Sequence, residues 1–286
     1  MIFHKRRRRH TFPSRRFGED GRRATSDLTH AEIDVFRTWL RREAGLRGED
    51  YRDAFLARRI QPRLEARGFT KAEDYLRSLK ERTSEREMLL SRVLVPTTEF
   101  MRNPEVWESL GRFLKEAPFH DPLHIASAPC STGEEALSAA ILLEEIGRHG
   151  RVVAADRSRK ALASLVEGRY AERALEKLDK SVVRRYFKVE NGWATPVQRV
   201  RRIVLPLMCD LCHGMPGRGF HAILVRILFI YLTQEAQERI VNEAEAALAP
   251  GGFLVLGRVE RLPQGLRGWE KADGEGKIYR WKGGGR

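Results

Sequence analysis

The stretch Ser127-Ala-Pro-Cys-Ser-Thr-Gly-Glu-Glu-Ala-Leu-Ser138 decides the fold of this chain. A short apolar run at residues 123–126 precedes it, and a segment rich in Ala, Leu and Ile follows it to Ile146. This pattern predicts a strand, a tight turn at Gly133 and then a helix. In an open α/β sheet such a junction lies at the carboxyl end of a strand, where ligands bind.

Acidic residues surround this predicted turn. The N–H groups of a helix N-terminus normally attract an anion, but here Glu134 and Glu135 partly satisfy them. Asp156 ends the next predicted strand, about 20 residues later, where an acid can accept hydrogen bonds from ribose hydroxyls. A helix-capping role for Asp156 fits its position as well. The acids favour a cationic, nucleoside-like ligand, and S-adenosylmethionine, with its sulfonium and ammonium groups, has that chemistry.

Strands and helices alternate through the second part of the chain, which predicts an α/β fold with a doubly wound, Rossmann-like, mostly parallel sheet. The predicted strands are residues 123–127, 151–155, 203–208, 222–225 and 253–257. The predicted helices between them are residues 134–146, 160–167, 181–186 and 233–248. Residues 277–281 are expected to form a last edge strand.

The first part of the chain contains only helical patterns. Residues 27–93 predict four short helices, and Pro96 interrupts the pattern. We therefore expect three parts: a basic, disordered arm at residues 1–26, an N-terminal helical domain at 27–95, and an S-adenosylmethionine-binding domain at 96–286.

Charge and composition limit the function further. The formal net charge is +14, and residues 1–26 hold nine basic and two acidic residues. This arm either contacts nucleic acid or an acidic protein, or is a solvated start of an arginine-rich chain. Nucleic-acid binding rests on bulk charge alone and is not expected, since no recognition helix is evident. The sequence has no apolar run of about 18 residues, so no segment is expected to insert into a membrane. No secretion signal is evident, and the default location is therefore the cytoplasm.

The three cysteines do not predict a metal site. Cys209, Cys212 and His213 match the C-x-x-C-H pattern of haem attachment, but that attachment requires export. As a zinc site these residues supply three ligands and lack a fourth at a helpful spacing. Small buried thiols are the better interpretation.

Five ordered segments carry a resemblance to a known family. They are Thr98-Glu-Phe-Met-Arg102, the glycine turn at 129–138, Ala154-Ala-Asp-Arg-Ser158, residues 220–232 and the closing segment 250–260. From about Ile33 to Trp281 the chain resembles CheR, the chemotaxis receptor protein-glutamate O-methyltransferases. The resemblance implies an N-terminal helical domain joined to an S-adenosylmethionine-dependent methyltransferase domain, with a small β element expected at residues 191–204.

The resemblance also assigns roles to individual residues. Arg102, next to the interdomain break, and Tyr231, at the end of the fourth strand, are the expected catalytic residues. The expected cofactor contacts are Thr98, Arg102, Glu135, Asp156, Asp210, Leu211, Arg226 and Ile227.

The resemblance implies a partner as well, the acidic cytoplasmic helices of methyl-accepting receptors. The arginine-rich side of the predicted helix 51–66, with Arg58, Arg59 and Arg63, fits such a partner, although a merely solvated face explains it equally. Nothing in the sequence demands more than a monomer.

Several positions depart from the family pattern. Three family asparagines are replaced by Pro96, Asp210 and Ile227. Each lost hydrogen bond weakens cofactor binding by about 0.5–1.5 kcal/mol. The expected function is methyl transfer from S-adenosylmethionine to receptor glutamate carboxylates. The alternative is a degenerate, weak or inactive methyltransferase fold that acts as a receptor-binding or cofactor-sensing module.

Overall fold

The computed structural model describes residues 28–94 and 98–283. The predicted basic arm at residues 1–26 and the substituted Pro96 lie outside the described residues. In the described ranges, every helix is too short or too polar to cross a bilayer.

Four helices form the N-terminal unit, as the sequence predicts. They are α1 (His30–Ala44), α2 (Asp53–Ala66), α3 (Ala72–Ser78) and α4 (Thr83–Leu94). Thr29 begins α1 with a capping box to Glu32, and Gly45 ends it in the left-handed conformation. The apolar sides of the helices meet in a core that includes Phe36 and Phe55.

A buried carboxylate joins α2, α3 and α4. Glu85 is 2% exposed and accepts hydrogen bonds from Arg63, from Arg67 and, at 2.8 Å, from the Tyr75 hydroxyl. Burial alone would raise the pKa of Glu85, but these hydrogen bonds outweigh it and lower the pKa to about 2. Arg63 is thus bound inside the helical unit, which removes it from the predicted partner-facing set.

The rest of the chain forms the α/β unit. Its strands are β1 (Leu123–Ser127), β2 (Gly150–Asp156), β3 (Tyr170–Ala171), β4 (Phe187–Glu190), β5 (Trp193–Pro196), β6 (Val204–Met208), β7 (Phe220–Val225), β8 (Leu248–Leu256), β9 (Trp269–Lys271) and β10 (Ile278–Trp281). Its helices are α5 (Pro104–Glu116), α6 (Glu134–Ile146), α7 (Arg159–Glu167), α8 (Lys180–Tyr186), α9 (Gln198–Arg201) and α10 (Gln234–Ala247).

The main sheet confirms the predicted doubly wound architecture. Its seven strands have the order β6-β2-β1-β7-β8-β10-β9, and the first five of these run parallel. The chain moves outward from β1 to β2 and β6, and then returns to β7 on the other side of β1. The carboxyl ends of β1 and β7 therefore flank the topological switch point, the usual position of a ligand crevice in such sheets.

Two details differ from the sequence prediction. The strand expected at the edge, β10, lies inside the sheet, because β9 pairs with its outer side. The small β element is a three-stranded sheet of order β3-β5-β4, so the predicted range 191–204 captures only β5. Asn191 and Gly192, both at positive φ, form the turn between β4 and β5. Such an Asn-Gly pair is a strong hairpin signal that locates both strands.

Residues 44–52 fasten the two units together. Tyr51 and Leu232 form an isolated antiparallel bridge, with Arg52 N donating to Tyr231 O at 3.0 Å. Thr233 N donates to Asp50 O at 2.8 Å, and the Asp50 carboxylate also pairs with Arg239. These contacts fix the end of the β7 loop against the helical unit.

Glu85→Gln tests the ion pair of the helical unit. We expect the free energy of unfolding to fall by about 3 kcal/mol, because Arg63 loses a buried anionic partner. Urea denaturation measures the change. The matched control is Glu87→Gln on the exposed side of α4, which should change stability by less than about 0.5 kcal/mol. Equal stabilities of the two variants would contradict the assignment.

Candidate active site

Gly133 shapes the turn between β1 and α6. It is the N-cap of α6 with φ at 98°, a left-handed conformation that favours glycine. A Cβ atom at this position would also lie 2.3 Å from Leu165 Cδ1. The turn therefore requires glycine on two counts, and it places Glu134 and Glu135 in the first turn of α6.

Asp156 connects the end of β2 to this turn. Its Oδ2 accepts from Ser131 N and its Oδ1 from Ser158 N, both at 2.8 Å. The side chain of Ser158 caps α7 by accepting from Ala161 N, so the helix already has its own N-cap. Each carboxylate oxygen of Asp156 keeps a second lone pair, so it can accept a further hydrogen bond.

Arg226 is buried and connects several segments of the site. It follows β7 and is 5% exposed. Its Nη1 donates to Glu135 Oε2 at 3.3 Å, and its Nη2 donates to Arg102 O and Asn103 Oδ1, both at 2.9 Å. The guanidinium lies 5.8 Å from the centre of the Trp107 ring. Arg226 thus joins β7, α6 and the segment 102–107.

Glu260 holds the loop after β7 and was not predicted as a site residue. Its buried carboxylate accepts from the backbone N–H groups of Ile227, Leu228 and Phe229 at 2.8–2.9 Å. The motif glycine Gly257 allows this approach, since a Cβ there would lie 2.3 Å from Glu260 Oε2. The Gly-x-x-Glu spacing at the end of the closing segment was the available signal.

Ile227 adopts an unfavourable backbone conformation within this loop. Its φ is 58°, which a β-branched residue rarely adopts, whereas asparagine tolerates it. The departure from the family pattern therefore costs backbone strain in addition to a lost polar side chain.

The structure brings five of the predicted residues to the wall of one cavity. The lining residues are Thr98, Glu99, Arg102, Pro129, Ser131, Glu135, Arg226 and Ile227. The volume of this cavity, the central cavity, is about 20 Å³, which is room for about one water molecule. A nucleoside-sized ligand therefore needs the central cavity to widen.

The polar atoms of the central cavity fit a polar ligand. Ser131 Oγ, Arg102 Nε and Arg226 Nε are buried and form no hydrogen bond with any other described residue. Arg102 Nε lies 3.5 Å from Glu99 Oε2, an ion-pair distance. These three atoms are therefore available to form hydrogen bonds with a ligand or with water.

Asp210 and Leu211 lie outside the described lining of the central cavity. Asp210 Oδ2 accepts from Arg157 Nη1 at 2.9 Å, and its Oδ1 accepts from Cys212 N at 3.0 Å. The carboxylate that replaces the family asparagine is therefore paired with an arginine beside Asp156. Leu211 is buried in the apolar core cluster to which Ala155 also belongs.

Tyr231 lies where the two units meet. The centre of its ring is 4.7 Å from the centre of the Phe55 ring in α2. The Arg59 guanidinium lies 4.9 Å from the centre of the Phe55 ring. Burial raises the pKa of Tyr231 although Arg59 and Arg102 lower it. The phenol is therefore protonated at neutral pH and can donate a hydrogen bond.

Three carboxyl groups at this edge of the sheet have pKa values that are shifted in the same direction. Burial raises the pKa values of Glu134, Glu135 and Asp156, and partly opposing hydrogen bonds and nearby arginines do not reverse the effect. A cation brought close to them stabilises their ionised forms. Over the described part of the chain, no group of three or more His, Cys, Asp or Glu residues could hold a metal ion.

Comparison with protein families matches both units. Residues 31–94 match the all-alpha domain of the CheR methyltransferases, and residues 96–276 match the S-adenosylmethionine-binding domain of the same family.

Curated relatives agree with this match. Chemotaxis protein methyltransferase 1 of Pseudomonas aeruginosa is 26% identical, over 82% of this chain and 91% of its own length. The probable biofilm formation methyltransferase WspC of Pseudomonas putida is 28% identical, over 79% of this chain and 55% of its own. An uncharacterized 104.1 kDa protein of Rhodobacter capsulatus is 28% identical over 75% of this chain, which spans only 24% of that protein.

Solved structures show a weaker similarity. The glycopeptide N-methyltransferase MtfA, complexed with S-adenosylmethionine, is 14% identical with a TM-score of 0.35, over 57% of each chain. A score this low supports no conclusion about the function of this chain.

Ile227→Asn tests the strain at the central cavity. We expect the free energy of unfolding to rise by about 1 kcal/mol, because asparagine tolerates the left-handed conformation. Calorimetry should also show tighter S-adenosylmethionine binding, because the amide restores a polar group. Ile227→Val keeps the β-branch and serves as the control with neither gain. Loss of stability in Ile227→Asn would show that apolar packing by Ile227 outweighs the strain.

The raised carboxyl pKa values predict pH-dependent ligand binding. Lowering the pH from 7.5 to 5.5 should weaken S-adenosylmethionine binding by about tenfold, because protonated carboxyls no longer attract a cation. Titration calorimetry in buffers of different ionisation enthalpy should detect protons released on binding. The demethylated product lacks the sulfonium charge and should show a smaller dependence. An affinity that is constant over this range would contradict the electrostatic argument.

Proposed function

Because this chain belongs to the CheR methyltransferase family, we propose that it transfers methyl groups from S-adenosylmethionine to glutamate carboxylates of receptor signalling domains. The observation that carries the proposal is the convergence of Thr98, Arg102, Glu135, Arg226 and Ile227 on one cavity. This cavity lies beside the carboxyl ends of β1 and β7, where sheets of this type bind ligands.

The cofactor would be held by acids and by polar groups that now lack partners. Asp156, which accepts a hydrogen bond from Ser131 in the cavity wall, would bind the ribose, and Glu135 would supply negative charge. Arg102 and Ser131 would supply hydrogen-bonding atoms that have no partner among the described residues. S-adenosylmethionine supplies an activated methyl group when bound. Because the central cavity is small, it would have to widen when the cofactor binds.

Methyl transfer to a carboxylate needs positioning more than acid–base chemistry. A glutamate side chain has a pKa of about 4.3 and is ionised at neutral pH. The protein's task is therefore to align the carboxylate with the methyl group and to exclude water. The fixed loop after β7, held by Glu260 and by the backbone of Arg52, suits this positioning role.

Tyr231 and Arg102 are the proposed contacts of the reacting groups. The protonated phenol of Tyr231 can donate to an incoming carboxylate, and its ring packs on Phe55 of α2. Arg102 lines the central cavity and keeps 21% of its side chain exposed.

The arginines of α2 support an acidic partner. Arg58 is exposed, and Arg59 covers the Phe55 ring that packs on Tyr231. A positive surface beside the proposed active site would speed the encounter with an acidic helix, and salt would screen the effect. Since Arg63 pairs with Glu85, the proposed surface consists of Arg58 and Arg59.

A second candidate is the cofactor-sensing or receptor-binding module. The strained, apolar Ile227 in the wall of a 20 Å³ cavity favours it, because both features weaken cofactor binding. The two candidates differ in one measurable step, the transfer of a methyl group.

Arg102→Ala and Tyr231→Phe test the proposed catalytic roles. The wild-type chain, given labelled S-adenosylmethionine, should label receptor signalling fragments and should not label fragments whose acceptor glutamates are changed to glutamine. We expect Arg102→Ala to abolish transfer and Tyr231→Phe to slow it about tenfold or more, since each removes a contact to reacting groups. Arg92→Ala, an exposed change on α4, is the control.

The outcome separates the candidates. An unchanged rate in Arg102→Ala, with the fold intact by circular dichroism, would refute its role. Cofactor binding by the wild-type chain without label transfer would favour the sensing module, and failure to bind would favour the receptor-binding module.

A further inference from the structure

A second and larger cavity lies on the other side of residues 99–103. This lateral cavity has a volume of about 500 Å³ and is formed between α5, α6 and the segment that enters α8. Its apolar wall includes Met101, Trp107, Ile141, Leu142, Ile146 and Leu178. Apolar concave sites of about 300–1,000 Å³ are typical of small-molecule binding. The lateral cavity is thus large enough for a ligand, whereas the central cavity is not in its present form.

The lining of the lateral cavity is acidic, although the chain as a whole is basic. The lining contains four carboxylates, Glu99, Glu108, Glu145 and Asp179, and two cations, Arg112 and Lys177. Glu99 and Glu145 also pair with Arg102 and Arg185 outside the lining, so Glu108 and Asp179 are the lining carboxylates without an ion pair among the described residues. The whole chain carries a formal net charge of +14. An excess of acids around an apolar cavity, in a strongly basic protein, favours a ligand with an apolar body and a positive charge.

Glu99 belongs to both cavities. Its Oε1 lies 2.7 Å from Lys177 Nζ at the lateral cavity, and its Oε2 lies 3.5 Å from Arg102 Nε at the central cavity. A cation placed in either cavity would interact with this one carboxylate. Two cations that share one carboxylate compete for it and repel each other.

Trp107 provides a second connection between the cavities. Its ring lines the lateral cavity, and the guanidinium of Arg226 lies 5.8 Å from the ring centre. Its indole N–H donates to Arg102 O at 3.0 Å, and the same oxygen accepts from Arg226. A ligand that packs on this ring therefore touches a group that fixes Arg102 and Arg226.

We propose that the lateral cavity binds an apolar molecule that carries a protonated amine, and that its occupancy weakens cofactor binding through Glu99. The site itself is independent of methyl transfer, whereas the coupling rests on the proposed binding of S-adenosylmethionine. By thermodynamic reciprocity, the cofactor must weaken amine binding by the same factor.

Matched probes test the site on the full chain without cofactor. Titration calorimetry with 4-phenylbutylamine and 4-phenylbutyrate compares opposite charges on one apolar body. We expect the amine to bind about tenfold more tightly than the acid at low salt. Glu99→Gln should reduce this preference. Equal binding of the two probes, or tighter binding of the acid, would overturn the proposed ligand chemistry.

Bulky substitutions test the location. Ile146→Trp and Leu178→Trp each place an indole in the lateral cavity and should abolish binding of 4-phenylbutylamine. Val166→Trp, at an exposed position on α7, should leave it unchanged. Thermal unfolding identifies variants that retain the fold. Full binding by a folded Ile146→Trp or Leu178→Trp protein would place the amine elsewhere and overturn the proposal.

The coupling is measured with both ligands. Saturating 4-phenylbutylamine should raise the dissociation constant of S-adenosylmethionine about fivefold or more, and Glu99→Gln should reduce this factor. Independent binding of the two ligands would overturn the coupling and leave the amine site standing. Failure of the wild-type chain to bind S-adenosylmethionine would contradict both the coupling and the proposed function, while the amine test stands on its own.

Discussion

The buried ion pair of Arg226 and Glu135 is the constraint on which the candidate site depends. Removing two charges from water is costly, and a buried pair persists only when further hydrogen bonds satisfy both groups. Arg226 meets this condition with Arg102 O and Asn103 Oδ1, and Glu135 meets it with the Ser127 hydroxyl at 2.8 Å. The pair therefore fixes the ends of β1 and β7 relative to α6 and to the segment that carries Arg102. Arg102 and Glu135, two lining residues of the central cavity, are held by this network.

A second fixed point positions the proposed reacting groups. The Glu260 carboxylate accepts hydrogen bonds from backbone N–H groups of the loop after β7. The backbone N–H of Arg52 donates a hydrogen bond to the end of that loop. This loop contains Ile227, whose strained conformation persists because the surrounding hydrogen bonds determine it. The helical unit thus contributes to the site directly, since Phe55 packs on Tyr231. A methyl acceptor that approaches α2 would arrive beside this tyrosine.

The candidate site was predictable from the sequence to the extent that it follows from local motifs. Thr98, Arg102, Glu135, Arg226 and Ile227 were named from ordered segments, and the structure places all five around one cavity. Asp210 and Arg63 show the limit of this approach. Asp210 was expected to contact the cofactor and Arg63 to face a protein partner, whereas the structure pairs Asp210 with Arg157 and Arg63 with Glu85. Both partners are distant in sequence, so no local pattern identifies them.

The sequence by itself determined the parallel strands of the main sheet, the helices between them, the Gly133 turn and the family of the fold. These features depend on hydrophobic periodicity and backbone geometry, which act over a few neighbouring residues. Only the tertiary structure decided that Glu99 faces two cavities, that β10 lies inside the sheet, and that the central cavity holds no more than about one water molecule. Such properties arise because side chains far apart in the chain share one small volume, and their packing is set by the whole fold.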